Sequence, residues 1–197
     1  MPRWQLSGKT VYHIHIPKTA GSILKHSAGL IGTSVDHFRG VQKNIPPQHE
    51  HFELLSKKFN LNKNNSFTVI REPWLKTLST YVYWSKDKSL KNCNSWLKEM
   101  FLKVLDEPHT QYNHFLPQYK FVSDTINIFK HDNLQELEKW LQENFNSKFK
   151  IVENIQEGKV SGKYEKPKKE DILDKETIEL WNKLYTKDEK LWLINNK

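Results

Sequence analysis

The stretch from Val11 to Ser22, VYHIHIPKTAGS, constrains this chain more than any other. An apolar, β-branched run leads into Pro17-Lys18-Thr19-Ala20, and Gly21-Ser22 then opens a helical pattern. A buried strand is thereby forced to deliver the chain to the positive end of a helix. The first N–H groups of a helix lack intrahelical acceptors, and the turn lysine adds a full charge. The turn therefore reads as a seat for a phosphate-like anion. Phe67-Thr68-Val69-Ile70-Arg71-Glu72-Pro73 repeats the strand-to-helix logic with an arginine at the strand end, and Ser79 follows eight residues after Arg71. Two such seats imply a ligand carrying phosphates at two places.

Charge agrees with an anionic ligand without choosing one. The 197 residues carry 31 basic and 23 acidic side chains, a net charge of +8 and a pI near 9.3. Nucleotides, nucleic acid, sulfated glycans and acidic lipids all suit such a surface, and so does general solubility. The length fits one domain, taken as 1–197, with a proper core. Cys93 is the only cysteine, which excludes an internal disulfide and a cysteine-based zinc site. Its asparagine neighbours give no sign of an activated thiol. No apolar run approaches the ~20 residues that span a bilayer, and the first residues lack a signal-peptide core. A soluble, cytoplasmic protein is the expectation.

Along the chain, strands are expected at Thr10–Ile16, Ser34–Phe38, Phe67–Ile70 and Ile126–Phe129. Helices are expected at Ser22–Leu30, at Gln48–Phe59 with Phe52, Leu55 and Phe59 inward, and from Pro73 with Leu75, Leu78 and Val82 inward. Further helices follow at Ser95–Leu105, with Leu97, Phe101 and Leu105 inward, and after Asn133. There Asn133 and Glu136 have capping-box spacing ahead of Leu134, Leu137 and Leu141. The segment Lys148–Lys169 is basic and irregular, and a last helix spans Glu176–Tyr185 with Ile178, Trp181 and Tyr185 buried. Alternating strands and helices predict an α/β fold, a mostly parallel sheet flanked by helices. Both anion seats fall beyond carboxyl ends of strands, where such sheets bind ligands.

The turn is not a Walker A loop. Gly8-Lys9-Thr10 mimics the end of that motif, but Arg3 stands where its first glycine belongs, and the triplet precedes the strand. Pro17-Lys18-Thr19-Ala20-Gly21-Ser22 instead resembles the 5′-phosphosulfate loop of sulfotransferases that use 3′-phosphoadenosine 5′-phosphosulfate (PAPS). Val69 to Tyr81, VIREPWLKTLSTY, resembles their 3′-phosphate motif. Order and separation are similar to the carbohydrate branch that includes heparan sulfate 2-O-sulfotransferase. Pro117-Gln118 and Phe129–Leu134 are weaker echoes, with Lys130 and His131 departing from the usual aromatic and glutamate. The resemblance implies a P-loop-like three-layer fold. It assigns Lys18, Thr19, Ala20, Gly21 and Ser22 to the 5′-phosphate, and Arg71 and Ser79 to the 3′-phosphate. A late loop around Gly158–Lys163 offers Ser161 and Lys163 to the adenosine end, or is simply a solvated basic loop.

Sulfuryl transfer needs a base near neutral pKa, and histidine fits. Gln48-His49-Glu50-His51 resembles the His-x-His segment of that branch, which implies His51 as base with His49 in support or in its place; Glu50 beside them is a candidate orienter or alternative base. By themselves, histidines at a helix start are solvated or cap it. His13 and His15 share one strand face, but no third ligand has metal spacing, so a hydrogen-bonded core role is expected and no metal is assigned. His109 and His114 are candidates for an acceptor cleft, and Trp84 for stacking on a sugar, each against a packing role. The expected activity is PAPS-dependent sulfation of a carbohydrate or small-molecule hydroxyl, releasing 3′-phosphoadenosine 5′-phosphate (PAP), with no nucleic-acid or membrane partner. The rivals are a P-loop-type small-molecule kinase and a non-catalytic binder of nucleic acid or anionic polysaccharide.

Overall fold

The computed structural model describes residues 2–31, 35–37, 46–86, 89–146, 148–152 and 167–195. The chain divides into two compact units, one of Met1–Arg71 with Gln118–Ile155 and one of Glu72–Pro117 with Gln156–Lys197. Each has its own hydrophobic core.

The first unit is α/β. Its five-stranded sheet has the order β3-β1-β2-β4-β5, built from β1 (Pro2–Leu6), β2 (Lys9–Ile14), β3 (Val35–His37), β4 (Ser66–Ile70) and β5 (Asn127–Lys130). β2 runs parallel to β4 and β4 to β5, whereas β1 pairs antiparallel with both β2 and β3. The sheet is therefore mixed, which corrects the mostly parallel expectation. The difference comes from a hairpin: Leu6 pairs with Lys9 across Ser7-Gly8, and both turn residues have positive φ, 49° and 77°. That is the mirror-image turn whose twist matches a β-ribbon, and glycine supplies the second left-handed position without strain.

β4 is buried along its whole length, as a central parallel strand requires. Over one sheet face, Trp4, Leu6, Val11, Phe67 and Val69 pack with Leu24 and Ala28 of α1 (Gly21–Leu30) and with Leu134, Leu137 and Leu141 of α5 (Leu134–Asn144). The leucine stripe of α5 is the expected one, but its capping box is not: Asn133 caps no backbone N–H and instead donates its amide to Glu136 at 2.7 Å. The expected helix Gln48–Phe59 contracts to a 3-10 turn at Pro47–His49 and a five-residue α2 (Phe52–Ser56). Glu50 and His51 between them are extended, with ψ of 139° and 166°.

The second unit is helical: α3 (Pro73–Trp84), α4 (Cys93–Asp106) and α6 (Lys175–Ile194). Trp74, Leu78, Tyr81, Leu97, Phe101 and Trp181 lie in its core. Leu105, expected inward, is exposed, and Met100 and Val104 fill the stripe instead. α6 runs nine residues beyond the expected Tyr185. Burial pushes the Cys93 thiol up to about 12, in keeping with an inert cysteine. No helix among the described residues is long and apolar enough to cross a membrane.

Candidate anion site

The turn after β2 delivers the chain to α1 without a side-chain cap. Lys18 and Ala20 both adopt left-handed backbone, φ 70° and 73°, which reverses the chain within four residues. Neither has the glycine that would make this costless, so packing must hold the strain. Thr19 is one restraint: it is fully buried and donates its hydroxyl to the Ile16 carbonyl at 2.8 Å. That hydroxyl therefore closes the turn and is not a ligand donor, leaving Thr19 only its N–H for the expected role. Ala20 is the N-cap of α1 and has no side chain to cap with, and no acid lies in the first helical turn. The positive end of α1 is thus uncompensated by its own residues, the condition under which a helix end attracts an anion.

Arg71 comes to the same place. Its guanidinium Nη1 donates to the Lys18 carbonyl at 3.1 Å. Its peptide is gripped by Gln118, which accepts from the Arg71 N–H at 2.9 Å and donates to the Arg71 carbonyl at 2.8 Å. A buried carboxamide thus replaces the pairing a neighbouring strand would give. The Lys18 pKa is lowered, first because burial strips water from the ammonium and second because the Arg71 guanidinium lies near. Like charges held together in this way are relieved by an anion.

The second anticipated seat is different. Glu72 caps α3, accepting from the N–H groups of Trp74 at 3.1 Å and Leu75 at 2.6 Å. The end of α3 is therefore already occupied by a carboxylate, and what the segment contributes as a cation is Arg71 alone. Ser79 belongs to the second unit, on the buried side of α3. Ser161 and Lys163 lie outside the described residues.

Histidines underlie the open turn. A Cβ on Gly21 would come within 2.1 Å of His15 Cε1, so only glycine lets the imidazole lie against the start of α1. The His15 ring is 5.4 Å from that of His49 and 5.2 Å from that of His13. Glu50 is buried, and His51 is the N-cap of α2 without a side-chain capping bond. His13 lies in the core, as expected. It stacks on Phe67 at 4.7 Å, its Nε2 has no hydrogen-bond partner among the described residues, and burial holds its pKa down at about 3. No group of three or more His, Cys, Asp or Glu residues fit to hold a metal ion occurs among the described residues. The sequence named His15 and Gln118 but not what they do here: His15 lies against Gly21, and Gln118 clamps Arg71.

No protein-family model matches the chain, and no curated protein or solved structure is detectably similar to it.

Proposed function

We propose that this protein is a PAPS-dependent sulfotransferase on a P-loop-like frame, acting on a carbohydrate hydroxyl. The observation that carries the reading is the meeting of Lys18 and Arg71 at an uncapped helix N-terminus. PAPS and its product PAP bear phosphates on the 5′ and 3′ positions of one ribose, so their binders have to lie close together, as these two cations do. In this reading Lys18 and the N–H groups of Thr19, Ala20, Gly21 and Ser22 hold the 5′ end, and the Arg71 fork takes the 3′-phosphate. Ser79, Ser161 and Lys163 are assigned by motif resemblance alone.

PAPS supplies an activated sulfuryl group whose departure leaves negative charge on the 5′-phosphate. Lys18 and the N-terminus of α1 are fixed cationic partners for that charge. A histidine accepts the acceptor hydroxyl's proton. The motif ranks His51 first, whereas the ring contact with His15 joins His49 to the Gly21 turn. We therefore place His49 beside His51 as an equal candidate.

Calorimetry of the full chain with PAP and AMP tests the reading. PAP is expected to bind at least about tenfold more tightly, the effect of one charged hydrogen-bonded contact. Equal affinities would sink it. Transfer of labelled sulfate from PAPS to a glycan panel then follows, and the base is whichever of His49→Ala and His51→Ala abolishes transfer while sparing PAP binding.

A further inference from the structure

The second unit carries a feature that the nucleotide reading does not use. Where α3 ends and α4 begins, a cleft of about 460 Å³ is lined by the indoles of Trp84 and Trp96, by Asn92 and Ser95, and by Lys86 and Glu99. Trp84 Nε1 is shielded from solvent and yet donates to no acceptor among the described residues. A sequestered donor without a partner is an uncommon arrangement that calls for an explanation.

Beside Trp84 stands a cluster of rings. Tyr83 stacks on His114 with centroids 5.2 Å apart and planes 8° apart, and meets Trp84 edge-on at 5.3 Å. Tyr112 lies 5.9 Å from Trp84. Tyr83 is 59% and Tyr112 48% exposed, so both rings keep a large face in water. Tyr112 is also held at a conformational cost. Gln111, Tyr112 and Asn113 are three successive non-glycine residues with left-handed φ of 49°, 54° and 65°. The fully buried Asn113, its Oδ1 2.9 Å from His109 Nδ1, anchors the segment. Strain of this kind persists only where surrounding structure enforces it, and it concentrates at ligand sites.

We propose that this cleft, together with the Tyr83 and Tyr112 rings beside Trp84, binds a neutral oligosaccharide. The C–H face of a pyranose stacks on exposed aromatic rings, which supply contact area at low entropic cost. Its hydroxyls both donate and accept, which suits the mixed lining: an ammonium donates, a carboxylate accepts, and a carboxamide and a hydroxyl do both. One cation and one anion in the lining cancel, which favours an uncharged chain over a sulfated or phosphorylated one. An apolar peptide side chain would leave these polar groups desolvated without partners.

The full-length protein, labelled on its indole nitrogens, is titrated with cellotetraose, chitotetraose and β-1,4-galactotetraose at physiological salt, with single-stranded dT10 as a base-stacking control. At least one sugar is expected to bind saturably and to shift the Trp84 and Trp96 indole signals. Tyr83→Ala and Tyr112→Asn should each weaken that binding fivefold or more with unchanged melting temperature. Asparagine tolerates left-handed backbone, so the second variant removes the ring and keeps the turn. Failure of all three sugars to bind, tighter binding of dT10, or indifference to both variants would overturn the proposal. The titration contains no PAPS or PAP, so this inference and the sulfotransferase reading can fail separately.

Discussion

The junctions that follow β2 and β4 both lead a strand into a helix, and they treat the helix end in opposite ways. After β2 the chain turns through left-handed Lys18 and Ala20 and leaves the end of α1 without a side-chain cap. After β4 it passes through Glu72, whose carboxylate takes the first two available N–H groups of α3. The sequences invite the same reading, since each places a cation beside the start of a helix. Helix dipoles are a general resource, and what separates a binding site from a stabilised helix is whether the chain supplies its own anion.

Arg71 gives the sharpest test of this contrast, because it sits at the closed junction and reaches the open one. Arg71→Ala should weaken PAP binding by about 1.5–3 kcal/mol, the scale of a charged hydrogen bond, and change AMP binding less than about twofold. Equal losses for both nucleotides would instead put Arg71 on the phosphate that Lys18 holds. Unchanged PAP affinity would remove Arg71 from the site.

The strand that leads to the open turn carries the next largest effect. His13 is buried against Phe67 and Trp4, and burial keeps its pKa at about 3. The unfolded chain takes up that proton near pH 6.5. Between pH 6.5 and 3 the unfolded state thus binds more protons, so stability present above 6.5 is lost as the pH falls. Urea unfolding should report about 2 kcal/mol less stability at pH 5 than at pH 7 from this residue. His13→Phe, which preserves the ring contact, should show a correspondingly smaller loss. Identical pH slopes for the two proteins would mean that the imidazole accepts its proton inside the fold.

Ala20→Asp attempts to convert the open junction into a closed one. Aspartate tolerates the left-handed backbone of this position and brings a carboxylate to Lys18 and the start of α1. PAP affinity should drop about tenfold, or ~1.4 kcal/mol, with the melting temperature equal or higher. An aspartate that left PAP affinity intact would show that the anion is not received at this helix end.

How much of this was readable beforehand follows from the range of the interactions. Gly21 opening α1, the apolar run of β4 and the leucine stripe of α5 are local patterns, and each appears where the sequence puts it. The β1–β2 hairpin was also legible, since Ser7-Gly8 is a two-residue turn between paired runs, but the run before it is short and holds an exposed Gln5. The helix over Gln48–Phe59 failed because Pro46 and Pro47 set an extended and 3-10 entry that outlasts the apolar spacing of Phe52 and Leu55. Two facts lay beyond any local signal. Gln118 clamps a peptide 47 residues away, and the His15 imidazole occupies the space that a Gly21 side chain would need. The role of Glu72 stood in the open, since an acid two and three residues ahead of free N–H groups is a capping pattern. Reading Glu72 as part of a phosphate motif obscured that use.

Glu72→Ala is the smallest expected effect and the one that decides whether the closed junction is closed for stability alone. The two N–H groups that Glu72 satisfies at 3.1 and 2.6 Å would turn to water. The loss should be about 1 kcal/mol of unfolding free energy, typical of an N-cap truncation. Pro73 at the first helical position keeps the start of α3 preset, which limits the damage. Glu72 is a neighbour of Arg71 in sequence and adds negative charge there, so its removal should leave PAP affinity unchanged or slightly raised. A fall in PAP affinity after Glu72→Ala, measured by calorimetry with folding intact, would show that the cap also positions Arg71. The two junctions would then be parts of one device, and the contrast between a seat for ligand and a seat for structure would no longer hold.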